Sequence, residues 1–272
     1  MTIEIYAPKL KDRWCAHYRV DKYWADEYET LTKLGLMPAP YEVCEDEGNT
    51  IATVGATDLF NGAFATLSVP YNTTNAQLAV GNSNTANSGD PVAYTDLLAA
   101  AGTKLNASDP ASATNATPIV ITATFSPTPV TGQTVVCSGF TGAGATAIND
   151  TWEITSASSS ALTLLNSAGA GAITVTGATV QPINYYRQFL NTAPTISTNT
   201  CVLVAVFASA NANFAWQEWG ITTGYAATSV PVSGAANKQH QPPPHLFDRV
   251  VQSFGTKSSG NVWTLTVTLT LT

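Results

Sequence analysis

A hydrolase needs a nucleophile beside its base, or two carboxylates facing a cleft. Beyond residue 50 this chain has few acids to offer: Asp58, Asp90, Asp96, Asp109, Asp150, Glu153, Glu218 and Asp248. Asp150 and Glu153 straddle one turn, where they either form a glycosidase-like acid/base pair or hydrogen-bond the loop; the loop role is the preferred reading. Glu218 sits between Trp216 and Trp219. A carboxyl pressed against indoles has its pKa raised by desolvation, as a general acid requires. The competing reading bonds Glu218 to backbone, to Arg249 or to Lys257 beside an aromatic core, and it is the one favoured here.

Other constellations are thinner. Cys15, Cys44, Cys137 and Cys201 are widely spaced with no C-x-x-C, which suits free, buried thiols. Cys15 and His17 could supply two metal ligands, yet nothing nearby completes a tetrahedral set. No G-x-S-x-G elbow, H-E-x-x-H pair, phosphate loop or dinucleotide fingerprint occurs: Gly169-Ala170-Gly171 lacks a third glycine, and Gly255-Thr256-Lys257-Ser258 lacks the upstream one. Trp152, Tyr185, Tyr186, Trp216, Trp219 and Tyr225 are candidates to stack on a sugar if exposed, although core packing is the expectation for Trp152 and the Trp216/Trp219 pair. No catalytic, cofactor-binding or metal-binding residue is therefore assigned, and the chain is read as no enzyme.

These residues must be held by strands. From Val262 to Thr272 large apolar groups alternate with threonine, so Trp263, Leu265, Val267, Leu269 and Leu271 line one face of a half-buried strand. The apolar run Cys201–Phe207 predicts a strand covered on both faces, Tyr185–Phe189 another, and residues 78–81 a short one. Leu246–Phe254 leads through a Gly/Ser turn into the final strand, which predicts a hairpin. Phe60-Asn61-Gly62 reads as a turn, Tyr94–Ala101 as a helix, 102–116 as a polar linker, and Gln239–His245 as a polyproline-like spacer. Between about 117 and 182, short segments (119–125, 133–137, 151–155, 161–165 and 174–180) read as a small barrel inserted into a loop of the outer body.

The first fifty residues differ: they hold six of the 11 Lys/Arg and ten of the 18 Asp/Glu. Asp21 is placed to cap a helix of about four turns carrying Trp24, Tyr28, Leu31 and Leu34, with Gly35 to stop it. This arm either folds back onto its own sheet or docks on a neighbour. The predicted architecture is thus mainly β: an N-terminal helical arm (1–50), a discontinuous β-sandwich body (51–116 and 183–272) and an inserted small β-barrel (117–182).

Several motifs carry a resemblance. Trp216-Gln217-Glu218-Trp219-Gly220-Ile221, Asp248-Arg249-Val250-Val251, Ser253–Ser258 and the terminal Trp-Thr-Leu-Thr-Val-Thr strand, with Val80-Gly81-Asn82-Ser83, Thr85-Ala86 and Thr95-Asp96-Leu97, resemble a widespread group of tailed-bacteriophage virion proteins. The likeness spans about residues 55–100 and 185–272 and rests on structural motifs. The insert separately resembles the small β-barrel module first named from ubiquitin-activating enzymes, through Thr131-Gly132-Gln133-Thr134-Val135, Gly139, Asn149-Asp150-Thr151-Trp152-Glu153-Ile154 and Leu162-Thr163-Leu164. Asp150 stands where that module has glycine. The module brings no catalytic residue.

Composition bears on partners. Only 11% of residues are charged and the net charge is −7, with no basic stripe, so direct binding to nucleic acid is not expected. No stretch approaches the ~18 apolar residues of a spanning helix, and the start lacks a signal-peptide layout, so no membrane association is expected. The resemblance implies a structural protein of the virion, assembled in the host cytoplasm. A capsid-associated role is expected first, as head decoration, cement or head fibre, and a tail, collar, baseplate or glycan-binding role second; a cell-wall hydrolase is third. Implied partners are other virion proteins and further copies of the chain, with a host glycan as an additional candidate.

Overall fold

The computed structural model describes residues 14–48, 71, 75–87, 97–99, 102–223 and 245–271. Within them the protein is mainly β, with one α-helix, α1 (Ala25–Lys33). The first strands are β1 (Trp14–Trp24), β2 (Glu42–Glu47) and β3 (Ala76–Gly81). The middle of the chain holds β4 (Ser112–Ala113), β5 (Val120–Thr122), β6 (Thr134–Ser138), β7 (Thr151–Ala157), β8 (Ala161–Leu164) and β9 (Thr179–Pro182). The last third holds β10 (Tyr185–Phe189), β11 (Thr195–Ser197), β12 (Thr200–Phe207), β13 (Ala215–Thr223), β14 (His245–Thr256) and β15 (Asn261–Leu271).

Three sheets result. A five-stranded sheet runs β11-β12-β15-β1-β2 and a four-stranded one β10-β3-β13-β14. Their inner faces share a single core, in which Tyr18, Val20, Ala205, Phe207, Leu265 and Val267 meet Leu78, Val80, Tyr186, Trp216, Trp219 and Ile221. Trp216 lies edge-on to Phe207 at 4.7 Å and to Trp263 at 4.8 Å between ring centroids, and Tyr18 to Trp219 at 5.0 Å. Such aromatic pairs add to the stabilisation from area burial alone. In β15 the period-2 pattern is realised directly: Trp263, Leu265, Val267 and Leu269 are buried while Thr264, Thr266, Thr268 and Thr270 are half-exposed.

The third sheet, ordered β4-β5-β8-β7-β6-β9, curves as a half-barrel around its own core of Leu105, Ile119, Ile121, Val135, Trp152, Ile154, Leu162, Leu164 and Val180. That core begins earlier than the linker reading of 102–116 expects. Leu105 is fully buried, and Asn106 accepts from the Val180 amide while donating to the Ala178 carbonyl, which ties the incoming chain to the outgoing one. A polar composition hid this, because one buried leucine and one bridging asparagine do the anchoring.

Three further expectations change. First, Asp21 caps no helix. It lies inside β1, which pairs over eleven residues with β15 and on its other side with β2, so this part of the segment is a central strand of the five-stranded sheet. Alternation of Ala16, Tyr18 and Val20 into the core outweighs the helix-like spacing that begins at Trp24. Helix α1 starts at Ala25 without a side-chain cap, is shorter than expected, and ends at Gly35 with φ +72°, the left-handed geometry glycine tolerates. Second, β14 and β15 form no hairpin: β14 pairs with β13 in one sheet, and β15 with β1 and β12 in the other. The short link between them, 257–260, carries the chain across the core. Third, β12 is buried on one face only. Leu203, Ala205 and Phe207 point inward, whereas Val202, Val204 and Val206 remain half-exposed. The expected turn at 60–62 and spacer at 239–244 lie outside the described residues, as does the 94–101 helix except for Leu97–Ala99, which are not helical.

Because Trp263 packs edge-on to Trp216 and beneath the Lys22 ammonium at 4.6 Å, Trp263→Ala should lower unfolding stability by about 3–5 kcal/mol, measured by urea denaturation.

Candidate functional site

Four of the motif residues singled out in the sequence, Gly81, Glu218, Gly220 and Arg249, meet on the outer side of the four-stranded sheet, whereas the motif tryptophans enter the core. Trp216 and Trp219 are three residues apart yet both enter the core, which a regular strand forbids. A register shift between Trp216 and Glu218 breaks the alternation there. Glu218 and Gly220 consequently face away from the aromatic core and beneath the chain that follows β3.

Glu218 and Arg249 form an ion pair in which both side chains are 0% exposed, with Arg249 Nε donating to Glu218 Oε2 at 2.7 Å. The same carboxylate oxygen accepts from the Leu98 amide at 3.1 Å. Arg249 Nη1 donates to the Thr85 carbonyl and to Asn87 Oδ1, and Asn87 Nδ2 donates back to the Arg249 carbonyl. The pair thus clamps segments 82–87 and 97–99 over the sheet. Leu97 packs there with Ala79, Tyr185 and Leu246 in a small separate cluster. Two glycines make room: a Cβ on Gly81 would collide with the Glu218 carboxylate, and one on Gly220 would sit 2.5 Å from the Asp248 carbonyl and 3.1 Å from Leu97. Burying two charges is costly, and the cost is offset only in part here, because Glu218 Oε2 accepts twice while the buried Oε1 has no hydrogen-bond partner among the described residues.

Two more ionisable groups are sealed nearby. Asp248 Oδ1 accepts from the Ile221 amide, and burial pushes its carboxyl up to about 7. Lys257, in the link between β14 and β15, donates to the Ala208 carbonyl and Asn213 Oδ1, and burial brings its ammonium down to about 7. Lys22 donates to Glu42 and to the Phe254 carbonyl, joining three strands at one edge. Sequence reasoning weighed Arg249 and Lys257 as alternatives for Glu218; the structure selects Arg249. It passed over Asp248 as a buried group, Lys22, Asn87 and Asn106; Asp248 stands beside Arg249 and Lys22 beside Asp21, so no local signal marks either as buried.

The other candidates do not assemble into a reactive site. Asp150 Oδ1 accepts the next amide, that of Thr151, and Glu153 Oε2 accepts from the Tyr186 hydroxyl at 3.1 Å, linking the half-barrel to the body. Asp150 does not take a left-handed φ, unlike Asn166, Thr198 and Ala212. Asn149 closes a two-way hydrogen bond with the Phe140 backbone, and the Trp152 indole donates to the Ile148 carbonyl. Trp152, Tyr185, Tyr186, Trp216 and Trp219 are all buried and offer no sugar-stacking face; Tyr225 lies outside the described residues. Cys44, Cys137 and Cys201 are free thiols, and no group of three His, Cys, Asp or Glu side chains gathers among the described residues.

Two hollows remain. One of about 280 Å³ lies where the half-barrel meets the body, lined by Thr131, Gln133, Asn184, Tyr186, Asn213 and Phe214 among others, with no carboxylate, histidine or cysteine. Another of about 200 Å³ is apolar and opens beside Tyr71, Cys201, Ile221 and Phe247. Neither holds a nucleophile with its base. Comparison with known protein families, with characterised proteins and with solved structures finds no match.

Removing one member of the clamp leaves the other charge buried. Glu218→Ala and Arg249→Met should each cost about 3–5 kcal/mol, and Glu218→Leu combined with Arg249→Met should cost clearly less than the sum of the single changes, as read by urea denaturation. The sealed acid and base also set a pH dependence. The unfolded chain releases the Asp248 proton near 3.8 but the folded one keeps it to about 7, so this contribution falls as pH rises through that interval. Unfolded Lys257 keeps its proton to 10.5 while the folded form releases it near 7, so its contribution climbs above pH 7. Stability from the two groups should therefore be lowest near neutrality. Asp248→Asn should remove ~1–3 kcal/mol of the decline between about pH 4 and 7, seen in denaturation curves across that range.

Proposed function

We propose that this protein is a non-enzymatic structural subunit of a tailed-phage virion: a β-sandwich body with an inserted small β-barrel, associated with the capsid as head decoration, cement or head fibre. One observation supports this most: the motif acid Glu218 and base Arg249 are consumed in an internal clamp, while the β12–β15 part of the outer face of the five-stranded sheet is a neutral ladder, flanked by Arg19, Asp21 and Glu45 on β1 and β2. Val202, Val204 and Val206 stand opposite Thr268, Thr266 and Thr264 there, all half-exposed. A flat face of β-branched side chains binds other subunits by burying area at about 25 cal/mol per Å², less the ordering cost, and requires no reactive group. Repeated copies on a particle imply symmetric association of the chain with itself and with capsid or tail subunits. Assembly takes place in the host cytoplasm, with no contact to nucleic acid or membrane.

The second reading places the protein at the tail, collar or baseplate, as a glycan-binding adhesin. The uncharged cleft between half-barrel and body, with Asn, Gln, Thr and Tyr groups, suits a neutral sugar. A cell-wall hydrolase is the weakest reading, because its best acid, Glu218, is sealed and salt-bridged.

Quantitative mass spectrometry of purified particles tests the assignment. On the order of hundreds of copies per particle is the expected result, about ten would move the protein to a collar, vertex or tail station, and absence from particles would overturn the proposal.

A further inference from the structure

The acidic helix–strand turn between β1 and β2 concentrates exposed apolar surface. Of eight large hydrophobic side chains exposed among the described residues, six fall within twenty positions: Trp24, Leu34, Leu36, Met37, Tyr41 and Val43. Met37 is 89% exposed, and Trp24, stacked on Tyr41 at 4.5 Å, is 53% exposed. Helix α1 keeps Tyr28 and Leu31 half-buried and buries no residue fully, and the exposed apolar side chains flank it, on its C-terminal turn and on the return to β2. Scattered apolar residues on a surface need no explanation; a cluster rimmed by charge marks an interaction site.

The rim identifies the partner's chemistry. Asp26, Glu27, Glu29, Glu42, Glu45, Asp46 and Glu47 are all exposed on this turn and on β2. Glu42 and Glu45 are answered by Lys22 and Arg19, and Glu29 meets Lys33 only at 3.9 Å. Asp26, Glu27, Asp46 and Glu47 have no ion pair among the described residues. Charges along an edge strand also discourage edge-to-edge pairing, which accounts for part of β2, but that role does not explain leucine, methionine and tryptophan standing in water beside them. A second copy of the chain is a poor complement, because among the described residues Arg187, Arg249, Lys257 and Lys22 are buried and Arg19 is paired, leaving Lys33 and Lys104 as exposed bases.

We infer that the α1–β2 turn is a docking surface for a different protein, one that presents an apolar slot flanked by lysine or arginine. The inference deepens the structural-subunit reading by naming the face and the partner, and it rests on that reading only for where the partner resides. Opposite charge on the rims would speed encounter and fix register, while Leu36, Met37 and Trp24 fill the slot.

The test uses the full chain and two synthetic helical peptides of matched leucine content, one carrying lysine and the other glutamate on the polar face. The lysine peptide should bind, with hydrogen-exchange protection centred on residues 24–43 and affinity falling as salt rises. Leu36→Ser with Met37→Ser, which changes no charge and touches no buried group, should weaken binding at least tenfold; Asp26→Asn with Glu27→Gln should weaken it and flatten the salt dependence. Equal binding of both peptides, a footprint elsewhere, or no effect of the serine pair would overturn the inference. So would concentration-dependent self-association abolished by the serine pair, which would make a second copy the occupant. In purified particles, carbodiimide coupling should join acids of this turn to lysines of another protein. Particles that contain the protein but couple it only elsewhere would overturn the docking surface while leaving the virion reading intact, whereas absence from particles would sink the virion reading and leave the peptide result to decide the surface.

Discussion

The buried Glu218–Arg249 pair is the constraint on which the body depends. Segment 82–87 is largely polar and segment 97–99 packs Leu97 into the small outer cluster, and the pair supplies the polar anchors that hold both over the outside of the four-stranded sheet. A clamp of this kind adds less net stability than a well-packed apolar patch would, because both ions are desolvated. What it supplies is direction: the Leu98 amide, the Thr85 carbonyl and the Asn87 side chain are each tied to a fixed point on the pair. Glycine is needed beside it, since a side chain at Gly81 would displace the Glu218 carboxylate and one at Gly220 would push on the Asp248 carbonyl and on Leu97.

The same economy recurs at the sheet boundaries. Lys22 bridges β1, β2 and β14, and Lys257 secures the short crossing from one sheet to the other by bonding the 208–213 loop. Charged residues in this chain are therefore of two kinds. Those beyond residue 50 that are described in strands are mostly buried and local, each closing one junction. Those on the α1–β2 turn are exposed and collective.

The sequence made some of this legible and concealed the rest for physical reasons. Period-2 alternation in β15 and the apolar run of β12 announced their strands, because burial on one face is a local property of a strand. Glu218 with Arg249 was among the pairings weighed, since an acid between tryptophans demands a partner. The placement of β1 was not legible: its pairing with β15 is a contact between the two ends of the chain, and local helix-like spacing from Trp24 onward masked it. The sheet change between β14 and β15 was hidden in the same way, because a Gly/Ser turn between two strands looks alike whether the strands pair or part. Asn106, which joins the two ends of the half-barrel segment, resembles any loop asparagine until its partners at 178 and 180 are known.

Where the half-barrel leaves the body, the chain comes and goes side by side, with the Gly102 amide bonded to the Pro182 carbonyl at 2.6 Å. To the remainder of the molecule, some eighty residues thus count as a link of nearly zero span, so the entropy of closing that loop is already met by the stem. A shorter or longer segment grafted on the same two stem residues would leave the strand pairing of the sheets beneath it in place and would cost the body only lateral contacts such as Tyr186 with Glu153.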